Sequence, residues 1–561
     1  MNLHLGRCAA STNKFGIMVA IAITALTGSG CLRKSKSDSD LAKSSIAPTV
    51  NRCVALRGNG THMIAHTTAL ARITNRWGEI HAIAGGSSAT ITTFLYESIL
   101  MNPAVKSLPD AEKAKAISLL LKSLTGFAAE TAAEPEWRAL RSLGVMASRI
   151  QEKGTLALPA SEYRKAAEDL RAVLDSEDIR DLVNPEILAM LTPSLNPQSR
   201  EFAAKVEEVK KAAASLTSLD ASDPDVFVRV GILNFPHFIG LIGRVANFYA
   251  GYGAPQIEMR DFIKDCTQGT DDQLWSAISP KATSKGTCGE RFSRMVRSWK
   301  QDSKTLSGAQ SRLADQQGQA LRSIMITSVI ESPEVIGIIK KFDQDFKSDA
   351  SRSLSMKFDD VKFGYWVSSS FSGDPIKSWQ TNNPDAKSKK AVNLGSAKTW
   401  RDILEKSPLE PSLGKYQEFS SSESHAGAIS LGGWADLHPV QILKAAGCDK
   451  VIYLTRRSEE TSFITKGPPF GERKPSGLAE MLGMTSKDYN DIYNLQDQNS
   501  AFSKALQQSD GVWCTSWNNF DAKQQDGIAN DGWSSPLLTK DKELSKWPEA
   551  DTSVQPILGC R

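Results

Sequence analysis

A serine set among small residues at the end of an apolar run has the surroundings of a nucleophile. Here Gly85-Gly86-Ser87-Ser88-Ala89 follows Ile80-His81-Ala82-Ile83-Ala84. On a tight strand-to-helix turn the hydroxyl is lifted off the sheet, and the helix N-terminus behind it favours developing negative charge. The pattern is G-x-S-x-G with its last glycine replaced by Ala89. Upstream, Arg57-Gly58-Asn59-Gly60 ends another apolar run, Cys53-Val54-Ala55-Leu56. Such residues tolerate φ > 0 and leave backbone N–H groups uncovered. The amides of Gly58, Asn59 and Gly60 are therefore the candidate oxyanion hole, since only open backbone approaches a tetrahedral oxyanion that closely. Acyl transfer needs a base as well. His62, His66 and His81 lie near in sequence, and a histidine base would complete a conventional triad. The alternative for His66 and His81 is a satisfied structural residue. Small-residue turns are common in α/β proteins, so the serine turn alone leaves a purely structural role open.

The same stretch predicts the elements that must hold these residues. Thr61 is placed to cap a helix running to about Trp77, with Met63, Leu70, Ile73 and Trp77 on one face. Ile80 to Ala84 reads as a strand, and an amphipathic helix carrying Ile91, Phe94, Leu95 and Ile99 follows the serine turn. Strand, glycine turn, helix, strand, serine turn, helix is an α/β pattern.

Leu56-Arg57-Gly58-Asn59-Gly60-Thr61-His62-Met63-Ile64-Ala65-His66 resembles the opening loop and helix of patatin-like phospholipases, L-S-G-G-G-x-R-G-x-A-H. Gly85-Gly86-Ser87-Ser88-Ala89-Thr90 stands where that family has G-T-S-A-G-A. Asn59, His62 and Met63 depart from its middle glycine, basic residue and last glycine. Far downstream, Gly432-Gly433-Trp434-Ala435-Asp436-Leu437-His438-Pro439-Val440 is similar to the family's D-G-G-x-x-x-N-x-P-V. A helix over Gln441 to Ala446 and a strand over Val451 to Leu454 follow in the expected order. Ser407-Pro408-Leu409-Glu410-Pro411-Ser412, after a helix starting at Trp400 to Leu404, resembles the family's small-residue and proline turn.

The resemblance implies an α/β core with a central mixed sheet in three layers, and a Ser–Asp dyad in which a carboxylate activates Ser87 directly. Aligned through Pro439, the family's Asp falls on Leu431, which cannot accept a proton. Asp436 is the nearest acid in the segment and is the expected base; its alternative role is to cap the helix near Pro439. The implied activity is hydrolysis of acyl esters in phospholipid, of phospholipase A or lysophospholipase type, with no metal or organic cofactor. The alternative is a degenerate member that binds lipid or protein without turnover.

The rest of the chain supplies the setting. Lys14 precedes an apolar run from Phe15 to Leu26, too short for a comfortable membrane span and suited to a secretory signal. Thr27-Gly28-Ser29-Gly30-Cys31 resembles a bacterial lipobox, which would make Cys31 the lipidated residue. Gly28 stands where leucine is usual, which leaves ordinary cleavage open. Residues 1–31 thus read as a signal peptide and 32–50 as a polar tether, placing the protein at the bacterial envelope on a lipid anchor, with a membrane surface as partner. Residues 51–101 and 355–561 are expected to form the core, and 102–354 a mainly helical insertion. Within it 111–127, 136–151, 161–174 and 201–216 show helical periodicity. The aromatic segment 226–252 reads as core, or else as a lid over an acyl pocket. Residues 362–367 read as a return to the sheet, 368–398 as an exposed polar loop, and 511–514 as a strand.

A formal charge of +4 in 561 residues gives no electrostatic case for nucleic acid. Eight cysteines without C-x-x-C spacing make zinc improbable and suit disulfides in an exported chain, with Cys266 and Cys288 the preferred pair.

Overall fold

The computed structural model describes residues 52–58, 63–132, 234–252, 256–267, 288–305, 321–337, 361–371, 391–395, 399–409, 416–432, 439–456 and 508–515, with short stretches between 134 and 182 and a few single positions. In chain order these form β1 (Cys53–Leu56), α1 (Met63–Trp77), β2 (Ala82–Gly86), α2 (Ser88–Met101), α3 (Pro103–Lys106), α4 (Asp110–Ala132), α5 (Glu177–Arg180), α6 (Phe235–Tyr249), α7 (Gln256–Cys266) and α8 (Cys288–Thr305). Then follow β3 (Arg322–Ile330), β4 (Val361–Val367), β5 (Ala391–Asn393), α9 (Trp400–Leu404), β6 (Gln417–Glu418), β7 (Ile429–Gly432), α10 (Val440–Ala445), β8 (Val451–Arg456) and β9 (Gly511–Thr515).

β1 is wholly apolar and wholly buried, which requires a strand covered on both faces. It lies between β2 and β8, parallel to both. The mixed sheet runs β5-β4-β3-β2-β1-β8-β9, with β7 beside β3 and β6 beside β7. Its centre is parallel; β4 and β7 run antiparallel to β3. Residues of β1 alternate between two cores, as the two-residue period of a strand demands. Val54 and Leu56 join Leu70, Ile73, Phe94 and Ile99 on one face. Cys53 and Ala55 join Val440, Ile442 and Leu443 on the other. The molecule is thus an α/β protein with a mixed, mostly parallel central sheet.

Three features differ from the sequence reading. β3 lies inside 102–354, in the middle of the sheet, so the sheet resumes at Arg322 rather than after 354. Nearly all of Arg322–Ile330 is buried, yet Arg322, Ser323, Thr327 and Ser328 interrupt its apolar residues, so the segment shows neither clean alternation nor a continuous apolar run. The polar stretch 368–398 contains β5. α2 is not amphipathic: every residue from Ser88 to Leu100 is buried. α6 lies against part of it, and α1 and the turn at Ser407 meet its threonines. The hydroxyls on α2 are met internally, Thr93 Oγ1 donating to the Ala89 carbonyl at 2.9 Å and Ser98 Oγ to that of Leu95 at 2.6 Å.

The aromatic segment packs as core within its described part. Phe238, Ile242, Phe248 and Tyr249 of α6 are buried, and the Phe248 ring lies 5.8 Å from Phe292 and 5.5 Å from Trp299. α4 extends over and beyond the helix expected at 111–127. The helix expected at 201–216 lies outside the described residues, as do most of those at 136–151 and 161–174. Cys266 and Cys288 form the expected disulfide, joining the end of α7 to the start of α8. A second bridge, Cys53–Cys448, ties the start of β1 to the turn before β8. Residues 1–50, including Cys31, lie outside the described residues.

Candidate active site

β1 and β2 are parallel neighbours with Leu56 opposite Gly85, so both loops that follow leave the sheet at the same end. In open α/β sheets this carboxyl end is where ligands bind. A Cβ on Gly85 would meet Ala89 Cβ at 2.6 Å and the Leu56 carbonyl at 3.2 Å. Glycine at 85 and a small residue at 89 thus let β1, β2 and the first turn of α2 close up.

Ser87 then turns the chain at φ 55° and ψ −134°. For a residue with a side chain such a backbone costs about 1–3 kcal/mol and persists only when its surroundings hold it. A strained strand-to-helix turn of this form is the backbone geometry that a nucleophile elbow requires. Ser87 is the N-cap of α2, yet its side chain makes no capping bond. No other partner of its hydroxyl is found among the described residues. The first amides of the fourteen-residue α2 stand behind it, where they favour negative charge.

The Ser87 backbone is fixed at both ends. Its N–H donates to Ser407 Oγ at 3.2 Å, and its carbonyl accepts from Thr90 N–H at 3.0 Å. Ser407 Oγ donates to the Ile326 carbonyl at 2.6 Å and lies 2.7 Å from Thr90 Oγ1. All four residues are buried. Sequence reading noticed the turn that carries Ser407 but gave this residue no role; a bond spanning 320 residues of chain has no local signature.

β4 occupies one side of β3 along its length, so β2 and β7 share the other. Gly86 pairs with Ile326 and Gly432 with Ser328. Two residues along a strand is roughly 7 Å, so the end of β7 arrives next to the elbow. Ser328 Oγ donates to the Gly432 carbonyl at 2.8 Å, and Thr327 Oγ1 lies 2.7 Å from Ser430 Oγ. Gly432 has φ +64°, and a Cβ there would fall 1.9 Å from the Leu409 carbonyl oxygen. The Ser407 turn is thus wedged between the elbow and β7.

That turn is anchored from below. Lys406, with a side chain 5% exposed, meets Glu423 at 3.0 Å and lies over the Phe419 ring at 5.2 Å. Burial alone would raise the Glu423 carboxyl, but the Ser420 N–H and Lys406 together hold it below the ordinary glutamate value.

The structure brings the serine turn, the start of the glycine turn and the start of the final motif to one end of the sheet. Gly58 is buried at the end of β1, while Asn59 and Gly60 lie outside the described residues. Leu431 is a fully buried residue of β7. Asp436 lies outside the described residues, four positions past Gly432 and within roughly 13 Å of it by chain length alone.

His66 and His81 take structural positions. His66 is buried on α1, with Nδ1 3.3 Å from Thr92 Oγ1. His81 precedes β2 and lies 2.8 Å from an Arg52 nitrogen at the opposite end of the sheet. Six residues of near-extended chain put it roughly 20 Å from Ser87. His62 lies outside the described residues. Among the described residues no cluster of three metal-ligating side chains occurs, and no helix is long and apolar enough to cross a membrane. No family model matches the chain, and no curated protein or solved structure matches it.

Proposed function

We propose that this protein is a serine-dependent acyl-ester hydrolase of patatin-like type, acting on phospholipid or a related acyl lipid from a lipid-anchored position at the envelope. The observation that carries the reading is Ser87: a buried serine at φ 55°, on a strand-to-helix turn, with its hydroxyl outside the cap of α2. Strain of that sort is retained where a side chain must be presented at one place. Ser87 would attack the ester carbonyl, and the amides of Gly58, Asn59 and Gly60 would receive the oxyanion. Asp436 would take the serine proton, its loop starting where β7 meets the elbow. Carbonyl carbon and serine oxygen form the acyl-enzyme as the alcohol leaves with a proton, and water then releases the fatty acid.

A second reading is favoured by Leu431, an apolar strand residue at the position where the family carries its acid. In it the chain binds lipid or protein without turnover. Fatty-acid release from phospholipid vesicles separates the two. The hydrolase reading predicts release by the wild type and none by Ser87→Ala or Asp436→Asn. Vesicle binding without release by the wild type supports the binding protein instead.

A further inference from the structure

We propose that Ser407 is a positioning residue for Ser87, inserted as a single hydroxyl into the sheet at the point where β2 leaves β3. The inference rests on Ser87 as nucleophile and adds the device that holds it.

A parallel ladder carries β2 along β3 as far as the pair Gly86 and Ile326. The next rung cannot form, because Ser87 turns away into α2. That break leaves the Ser87 N–H and the Ile326 carbonyl in need of partners inside the protein, where unmet backbone groups are costly. Ser407 supplies both, accepting from Ser87 and donating to Ile326. A hydroxyl has one proton and two lone pairs. With the proton on Ile326, Thr90 Oγ1 must be the donor in its 2.7 Å contact with Ser407 Oγ. The hydroxyl is then saturated, so Ser407 can be neither base nor proton relay for Ser87.

Two consequences follow. The Ser87 amide is committed to Ser407, so oxyanion donors must come from elsewhere, as the turn at Gly58 offers. The Ser407 turn also touches the other half of the site. The Lys406 carbonyl accepts from Ser430 Oγ of β7 at 3.2 Å, and the Leu409 backbone abuts Gly432. One turn therefore contacts both Ser87 and the strand end, Gly432, that precedes Asp436 in the chain.

The test uses the full-length chain, a fluorophosphonate probe and two measurements on each variant. One is the limiting rate of Ser87 labelling, separated from probe affinity. The other is amide hydrogen exchange over residues 85–90. In Ser407→Ala the limiting rate is expected to fall about a hundredfold, the loss typical of a small displacement of a reacting group, with probe affinity little changed. Exchange over 85–90 should rise. Thr90→Val, which keeps volume and removes only one bond, should fall between wild type and Ser407→Ala on both measures, and it serves if Ser407→Ala does not fold. Ser407→Thr should restore much of the rate. A Ser407→Ala protein that labels at the wild-type rate overturns the positioning role while leaving Ser87 as nucleophile. Unchanged exchange over 85–90 overturns it as well. A folded wild type that never labels overturns the hydrolase reading itself, and this role with it.

Discussion

Gly432→Ala is the substitution whose consequence follows most directly from the geometry. The added methyl carbon would lie 1.9 Å from the Leu409 carbonyl oxygen and 2.4 Å from its carbon, against an ordinary contact of 3.4 Å. Both are backbone atoms, so no side-chain rotation relieves the clash, and about 1.5 Å of backbone movement is required. Residue 432 also sits at φ +64°, where a side chain costs about 1–2 kcal/mol. Overpacking a well-filled interior adds about 1–3 kcal/mol. The expected destabilisation is therefore about 2–5 kcal/mol, read as a lower denaturation midpoint at unchanged slope. A function-specific consequence accompanies it. Leu409 lies two residues beyond Ser407, whose bond to Ser87 is already 3.2 Å long, so a shift of that size breaks the bond. Probe labelling of Ser87 should fall in step with stability. Gly240→Ala is the control: its methyl meets nothing within 4 Å on helix α6, so it should be neutral or stabilise by up to about 1 kcal/mol. Gly432→Ala within about 1 kcal/mol of wild type, with labelling intact, would refute the packing of the Ser407 turn described above.

Other expectations concern the anchors and the base. Lys406→Met takes the cation away from the partly buried Glu423 and should cost about 1–3 kcal/mol in denaturant unfolding, whereas Lys406→Met with Glu423→Leu should recover most of that. The Glu423 and Glu331 carboxyls are both held below their ordinary value, in each case against burial and by hydrogen-bonded partners: Ser420 and Lys406 for Glu423, Lys362 and His425 for Glu331. Their contribution is present above the unfolded glutamate value of 4.5 and lost as pH falls through the lower folded values, so hydrogen exchange over 417–432 should rise there. Glu405, raised by burial despite Lys406 and Arg401, works with the opposite sign and offsets part of this loss. Glu423→Gln should flatten the acid limb. Asp436→Asn should abolish turnover while leaving the unfolding midpoint near wild type; persistent turnover would assign the base elsewhere.

What was legible in the sequence was local. Cys53 to Leu56, the helix ending at Trp77 and the strand-to-helix turn at Ser87 lie in one short stretch, where propensity, turn chemistry and burial agree. The strands at Val451 and Gly511 were legible for the same reason, being short apolar runs bounded by polar turns. The Cys266–Cys288 pair was legible because its partners flank a single polar loop, whereas Cys53 and Cys448 are 395 residues apart and leave no local trace. β3 was missed because Ser323, Thr327 and Ser328 interrupt its apolar residues, although all three are buried within the sheet. α2 misled because its threonines and serines suggest a wet face, yet they are buried and bond to His66, to Ser407 and to the helix's own carbonyls. Ser407 illustrates the limit most sharply. Its turn was visible, but its role exists only once β2, β3 and β7 converge.

The most direct measurement is mass-spectrometric mapping of a fluorophosphonate adduct on the intact wild-type chain and on Ser87→Ala. Only an activated serine reacts readily, and no substrate need be known. The account predicts one modified residue, Ser87, and an unmodified Ser87→Ala protein that unfolds like the wild type. Adduct at another serine, labelling that survives Ser87→Ala, or a folded wild type that stays unlabelled would contradict it.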